Sequence, residues 1–533
     1  MRKAIVALLI VCVLLGVFVG CKKDAKAGKD VKEEVVFARN NGAEPQSLDP
    51  HHIEGVPEHN IYMCLFEGLV TYNPETLNPE PGVAESWESP DGGITWTFHL
   101  RKDAKWSDGV PITAQDFVDS WFRFLDPETA AVYSYLPGMI IKGAWDYNSG
   151  EGSKEDVAIR ALDEHTFQFE LVGPAPYALN MLAHYAFSVV PMHAIKKYGD
   201  SDWIKPENFV GNGPFLVDSW VPHDKIIFKP NPGYWDADAV KLDKLIFYPI
   251  DDQNTEVTMF LEGQLDWIEE VPDARLEEMK LHKDFKCEPI LSTYYYVFNQ
   301  TEPPFDDVRV RKAFAMAFDR QTLVDRVTRA GQIPAYGIVP SMAGYPGTPL
   351  FEENYDEARR LLAEAGYPNG EGFPESTLIY NTSEGHKKIA EYMQQQWLEN
   401  LNVKIILENQ EWGTYLDNKQ NQNFQIGRAG WNGDYPDPNT FLQDLLHSEA
   451  GNNDGCYASA EFDALLEKAS LMPGGPERMK VLQQAEAIAI GEDMAVIPFF
   501  YYTRSHWIDT EKWGGWYTNV QDTHPYKGIY KKN

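Results

Sequence analysis

The chain has 533 residues, of which 43% are apolar, and carries a formal net charge of −33. That length exceeds one ordinary domain and that apolar share can build real cores, so two or three lobes are expected and a disordered chain is excluded. A chain this acidic repels phosphate backbones, which excludes nucleic acid as a partner.

Arg2 and Lys3 precede an apolar run from Ala4 to Gly20 that ends at Cys21. A basic start followed by an apolar stretch reads as an export signal, and the run is marginal for spanning a bilayer. Gly20-Cys21 suits lipoprotein cleavage, with residues 1–20 as signal, lipidation at Cys21, and residues 21–34 as a polar tether to the membrane. Phe18 stands where such signals usually carry Leu. A plain cleaved signal and an uncleaved anchor are the alternatives. Of the remaining cysteines, Cys12 lies in the signal and Cys64, Cys287 and Cys456 lie beyond it, none with the Cys-x-x-Cys spacing of a metal or redox site. A Cys287–Cys456 disulfide and unpaired buried thiols both stay open.

From residue 35 onward helical and strand patterns alternate. Lys244-Leu-Ile-Phe-Tyr-Pro-Ile250 reads as a strand. Val308 to Gly331 carries Ala, Phe, Met and Leu at helical spacing and predicts one long helix. Tyr355 to Gly366 predicts an amphipathic helix ended by Gly366 and Pro368. His386 to Leu401 predicts a further helix, Val403 to Asn409 a strand, Pro476 to Ile490 a helix with Pro in its first turn, and Ala495 to Tyr502 an apolar strand. The mixture predicts α/β lobes with no membrane-spanning element after the signal.

The most informative stretch is Phe424-Gln-Ile-Gly-Arg-Ala-Gly-Trp-Asn-Gly-Asp-Tyr-Pro-Asp-Pro-Asn439. An alternating strand runs into a turn rich in Gly, Pro, Asn and Asp. Arg428 lies in the strand, Asp434 in the turn and Trp431 between them. A short zwitterion, ammonium at one end and carboxylate at the other, matches that arrangement, because charges beside aromatics in a cleft pair better than charges in water. A surface turn with solvated charges is the alternative.

Other stretches join this one in order: Ala38 to Glu58, Trp96-Thr-Phe-His-Leu-Arg101, Trp106-Ser-Asp-Gly109, Pro111 to Val118, Asn212-Gly-Pro214, Asn231-Pro-Gly-Tyr-Trp235, Pro304 to Arg311 and Tyr380-Asn-Thr-Ser383. Together they resemble the family 5 extracellular solute-binding proteins from about residue 35 to the C-terminus. The resemblance implies an α/β, periplasmic-binding-protein-like clamshell of two lobes (class II) with an additional third domain and a two-strand hinge. By matching motifs, lobe I takes 35–66, 190–291 and 504–533, domain II takes 67–189 and lobe III takes 292–503, with crossovers near Thr293 and Thr503 and the ligand enclosed between lobes I and III. It implies a lipid-anchored receptor, a monomer without cofactor, that captures roughly di- to pentapeptides and delivers them to the permease and ATPase of an ABC importer.

The resemblance also assigns residues. Asp434 meets the peptide's ammonium. Glu54-Gly-Val56 and the backbone at Ala429 and Gly430 hold the ligand main chain like an added strand, which is indifferent to side chains. Arg428, Lys419 and His386 face the ligand's carboxylate. Lys419 and Thr328 stand where a relative has Arg and Lys, which leaves the preferred length open. Tyr133, Tyr295, Trp412, Trp431 and Tyr502 line the cleft, and Asn381 adds a polar contact. Some relatives carry a disulfide at the positions of Ser292 and Asn432, neither of which is cysteine here.

An enzyme would need a catalytic signature, and the chain has no Gly-x-Ser-x-Gly elbow, no His-Glu-x-x-His pair and no phosphate-cradling glycine loop. His51-His52-x-Glu54 is a poor chelate, since adjacent side chains of an extended chain point apart. Two alternatives remain: another solute of the family, such as dipeptides, cell-wall peptides, nickel complexes, haem or sugars, of which Asp434 with Arg428 favours zwitterionic peptides over sugars, and a surface adhesin, which a lipid anchor alone would permit.

Overall fold

A computed structural model describes residues 33–269 and 271–533. The chain divides into two compact units, one ending at Glu34 and one running from Val35 to Asn533. Of the first, Glu33 and Glu34 are described and have no regular structure. The expected signal and Cys21 lie outside the described residues. Among the described residues no helix is long and apolar enough to cross a membrane.

The second unit is built on an 11-stranded mixed sheet. From one edge its main path runs Ile405–Gln410, Ser376–Asn381, Ile426–Asn432, Phe285–Phe298, Val496–Ile508, Trp267–Ile268, Val36–Asn40, Lys244–Tyr248, Lys225–Pro230 and Phe215–Val221. Val36–Asn40 is parallel to Lys244–Tyr248 and buried along nearly its whole length, as a strand covered on both faces must be. Two long antiparallel strands, Phe285–Phe298 and Val496–Ile508, cross the middle of the sheet. Their ladder runs from Phe285 opposite Trp507 to Pro289 opposite Thr503, breaks, and resumes at Thr293 opposite Tyr501. Proline has no N–H to donate, so a ladder can end at Pro289 without stranding a donor.

A separate antiparallel sheet of four strands orders Ala84–Glu88, Thr95–Leu100, Thr166–Glu170 and Ile159–Asp163. The Ala114–Leu125 helix packs on it with Trp121 against Phe167 and Phe169. Thr113 and Asp116 form a reciprocal capping box at its start. This part of the chain meets the turn after Ile426–Asn432 through Tyr177. Tyr177 stacks on Tyr435 at 4.7 Å, accepts from Asn439 at 3.1 Å and lies beside the Arg478–Asp437 ion pair.

The sequence-derived elements are found with three corrections. The long helix expected over Val308 to Gly331 is broken: an α-helix spans Val308–Met316, and a second begins at Arg320 and widens into a π-turn over Leu323–Thr328. Asp319 caps the new start through the Thr322 N–H, while the buried Arg320 guanidinium is turned into the core to donate to the carbonyls of Ala315 and Pro498. The helix beginning at Pro476 ends at Glu486 and widens similarly over Ala487–Glu492. The apolar strand at Ala495 continues to Ile508. Cys64, Cys287 and Cys456 are free thiols. Ser292 and Asn432, where some relatives have cysteines, sit directly opposite each other across the sheet.

Candidate ligand-binding site

Two cavities meet beside the Ile426–Asn432 strand. One, of about 1060 Å³, reaches Asp434; the other, of about 1150 Å³, reaches Arg428. Both are lined by Gly55, Val56, Asn60, Trp412, Gly430 and Asn432, so they form one continuous cleft.

At one end stands Asp434. Its backbone is pinned on both sides: its N–H donates to the Thr440 hydroxyl at 3.1 Å, and its carbonyl accepts from Gln521 at 2.9 Å. Its Oδ2 is buried without a hydrogen-bond partner. Oδ1 lies 3.6 Å from His184 Nε2. The Ala186 N–H donates to His184 Nδ1, so a neutral His184 carries its proton on Nε2, toward the carboxylate. Burial, with His59 nearby, holds His184 neutral well below the usual histidine range. Burial also pushes the Asp434 carboxyl well above its ordinary value, and the neighbouring Asp444 adds to the rise. Tyr133, Tyr185 and Trp431 surround the group, with Tyr133 and Trp431 stacked at 6.4 Å. A desolvated carboxyl group with an oxygen that accepts no hydrogen bond, ringed by aromatic faces, is built to receive a cation.

At the other end Arg428 curls back over its own strand. Its Nη2 donates to the Tyr502 hydroxyl at 2.7 Å, its Nη1 donates to Asn381 at 3.3 Å, and the guanidinium lies over the Tyr294 ring at 4.9 Å. These partners are neutral, and Nε has no partner. Gly430 makes the fold-back possible, because a Cβ there would sit 3.1 Å from Arg428 Nη2 and 3.2 Å from the Tyr502 hydroxyl. Tyr415 donates its hydroxyl to the Arg428 carbonyl and fixes the backbone.

The opposite wall comes from Glu54 to Val56. Gly55 has φ +93°, and a Cβ there would lie 2.8 Å from the Trp412 ring. Only glycine tolerates both the backbone and the close approach. Glu54 accepts from Gln420 at 2.5 Å. Burial raises its carboxyl to about 7, against a lowering from Lys419.

Two residues behave differently from expectation. Lys419 lines the cleft but pairs with Asp454 at 2.7 Å, so its charge is already neutralised. His386 lines the second cavity, but burial first and Arg428 second hold it neutral, so it is a polar contact rather than a cation. Ala429, expected to act through its backbone, turns its side chain into the core and opposes Tyr295 in the sheet. Tyr133, Tyr295, Trp412 and Trp431 line the first cavity, and Asn381, Trp412 and Tyr502 the second. His184, Tyr185, Asp454 and Gln521 went unnoticed in the sequence. They lie far along the chain from the groups they serve, and no local spacing marks them.

Residues 78–453 match the family described as bacterial extracellular solute-binding proteins, family 5 (middle region). The chain is 38% identical to the periplasmic oligopeptide-binding protein OppA of Salmonella typhimurium, over 100% of this chain and 98% of that protein. The chain belongs to the family 5 extracellular solute-binding proteins. A solved OppAIV from Borrelia burgdorferi has the same fold, with TM-score 0.90 and 38% identity over 94% of this chain and 100% of that one. The murein tripeptide-binding protein MppA of Escherichia coli overlays with TM-score 0.89 at 34% identity, over 94% and 99% of the two chains. The unliganded open form of MppA, also 34% identical over 94% and 98%, overlays at only 0.62. This family 5 protein therefore has the α/β clamshell fold in an arrangement other than that open one. Family 5 members bind solutes and are not enzymes.

Proposed function

We propose that this protein captures short peptides in the cleft between two lobes and hands them to an ATP-driven membrane importer. The observation that carries the reading is Asp434 Oδ2, a buried carboxylate oxygen without a partner, facing a cavity whose other end holds Arg428 among neutral groups. A peptide is a zwitterion whose ammonium would satisfy the first and whose carboxylate would satisfy the second. Between them the ligand main chain would run beside Glu54 to Val56 and the exposed edge of Gly430. The ligands are taken as roughly di- to pentapeptides, the length class that the family resemblance implies. The OppA and MppA names of the relatives support the same ligand class.

In this reading the lobes follow the boundaries given above, 35–66 with 190–291 and 504–533 against 292–503, and domain II is 67–189. The interrupted ladder between Phe285–Phe298 and Val496–Ile508 supports a hinge there. The receptor works as a monomer, tethered through residues 21–34 to a lipid on Cys21. Isothermal titration with Ala-Ala-Ala and N-acetyl-Ala-Ala-Ala tests the function. The free peptide is expected to bind and the acetylated one to bind at least about thirtyfold more weakly, as loss of a buried charge pair requires. Equal affinity would refute the assignment.

A further inference from the structure

A third cavity, of about 660 Å³, opens off the Arg428 end of the cleft. Gln253, Ser383, His386, Tyr502 and Arg504 line both it and the second cavity, so the two are continuous. Its lining is mixed, and Val271, Tyr294, Val327, Ile389 and Phe500 supply apolar surface to it. Three of the polar side chains there are already engaged. Thr328 donates to Gln332 at 2.9 Å, Thr503 donates to the Ala330 carbonyl at 2.7 Å, and Arg504 pairs with Asp522 at 2.7 Å.

A carboxylate placed in this annex would find no unengaged cation and would remain desolvated and costly. Arg428 stands at the entrance instead: it bonds Tyr502 and covers the face of Tyr294, both of which line the annex. Thr328 lines the annex, and its small side chain leaves the space open. We propose that the annex is the subsite for a large apolar side chain on the C-terminal residue of the bound peptide, whose carboxylate stays at Arg428. This rests on the peptide reading above and adds to it a preference at one ligand position.

The test is isothermal titration of the intact protein with Ala-Ala-Ala, Ala-Ala-Phe and Phe-Ala-Ala, and with Ala-Ala-Ala-Ala and Ala-Ala-Ala-Phe. C-terminal Phe is expected to tighten binding about tenfold or more in at least one length, since a benzyl group leaves water there, and N-terminal Phe is not. Thr328→Phe fills the annex and should abolish the preference while alanine peptides still bind. Ile389→Ala enlarges it and should move the preference from Phe toward Trp, which keeps the proposal decidable if the filled variant does not fold. Alanine peptides that bind as tightly as their C-terminal Phe counterparts overturn the subsite and leave the function standing. Failure of every peptide to bind overturns both.

Discussion

Asp434→Asn separates what Asp434 does for the ligand from what it does for the empty protein. Asn keeps the shape and removes the charge. With ligand present, the peptide ammonium would lose its buried counter-charge, a loss of about 2–5 kcal/mol, or about thirtyfold to several-thousandfold in Kd. Without ligand the sign reverses. Oδ2 has no partner, Asp444 is close by, and Oδ1 faces a neutral histidine 3.6 Å away. Ionising such a carboxyl costs free energy that Asn does not incur, so Tm of the empty variant should equal or exceed that of the parent. Titration with free and N-acetylated Ala-Ala-Ala completes the cycle: acetylation should weaken the parent strongly and the variant hardly at all. A variant with lowered Tm, or one weakened equally toward both ligands, would show that Asp434 holds the turn rather than the guest.

The same group predicts a pH dependence of binding. The empty site's carboxyl is raised by burial, and an arriving ammonium lowers it, so binding releases a proton and affinity climbs with pH by at most about tenfold per unit below the raised value; titration in buffers of different ionisation heat measures the release. Stability of the empty protein should move the other way. Burial raises Glu54 to about 7 and Glu58 and Asp444 to about 8, so the folded state keeps protons that the unfolded chain has lost. That contribution is full below the unfolded carboxyl range and disappears as pH rises through the folded values, so calorimetric Tm should be higher near about pH 5.5 than near about pH 8.5. Lys419→Ala should strand Asp454 and cost about 3 kcal/mol in urea unfolding, and Lys419→Met with Asp454→Leu should recover most of it, as expected of a structural ion pair. Gly430→Val should push Arg428 off Tyr502 and weaken tripeptide binding about tenfold with little change in Tm, readable by titration.

How much of this could be read beforehand depended on whether the controlling contact was local. The strand carrying Arg428 and the turn carrying Asp434 sit within one short stretch of alternation and turn residues, so the sequence displays them. Gly430 could be placed in the strand, but its reason lies in Arg428 folding back over it to Tyr502, seventy-odd residues on. Lys419 looked like an available cation because its captor, Asp454, lies in a loop with no pattern of its own. The break after Met316 was hidden because Ala and Phe at 317 and 318 continue the helical spacing, while the deciding bonds run from Arg320 to Pro498. The pocket around Asp434 takes His184 and Tyr185 from another sheet's surroundings, and pairing at such separation leaves no trace in spacing.

The interrupted ladder between Pro289 and Thr293 bears on how such a receptor lets go. A continuous ribbon resists torsion because each rung must stretch or snap. If the proposed hinge lies here, the rungs between Pro289 and Thr293 are already missing where the two strands would twist, and swinging one lobe against the other would sacrifice none at that point. Resistance to gaping then comes from the guest and the lips that grip it, and a membrane partner that pulls on those lips can empty the vessel without first dismantling its frame.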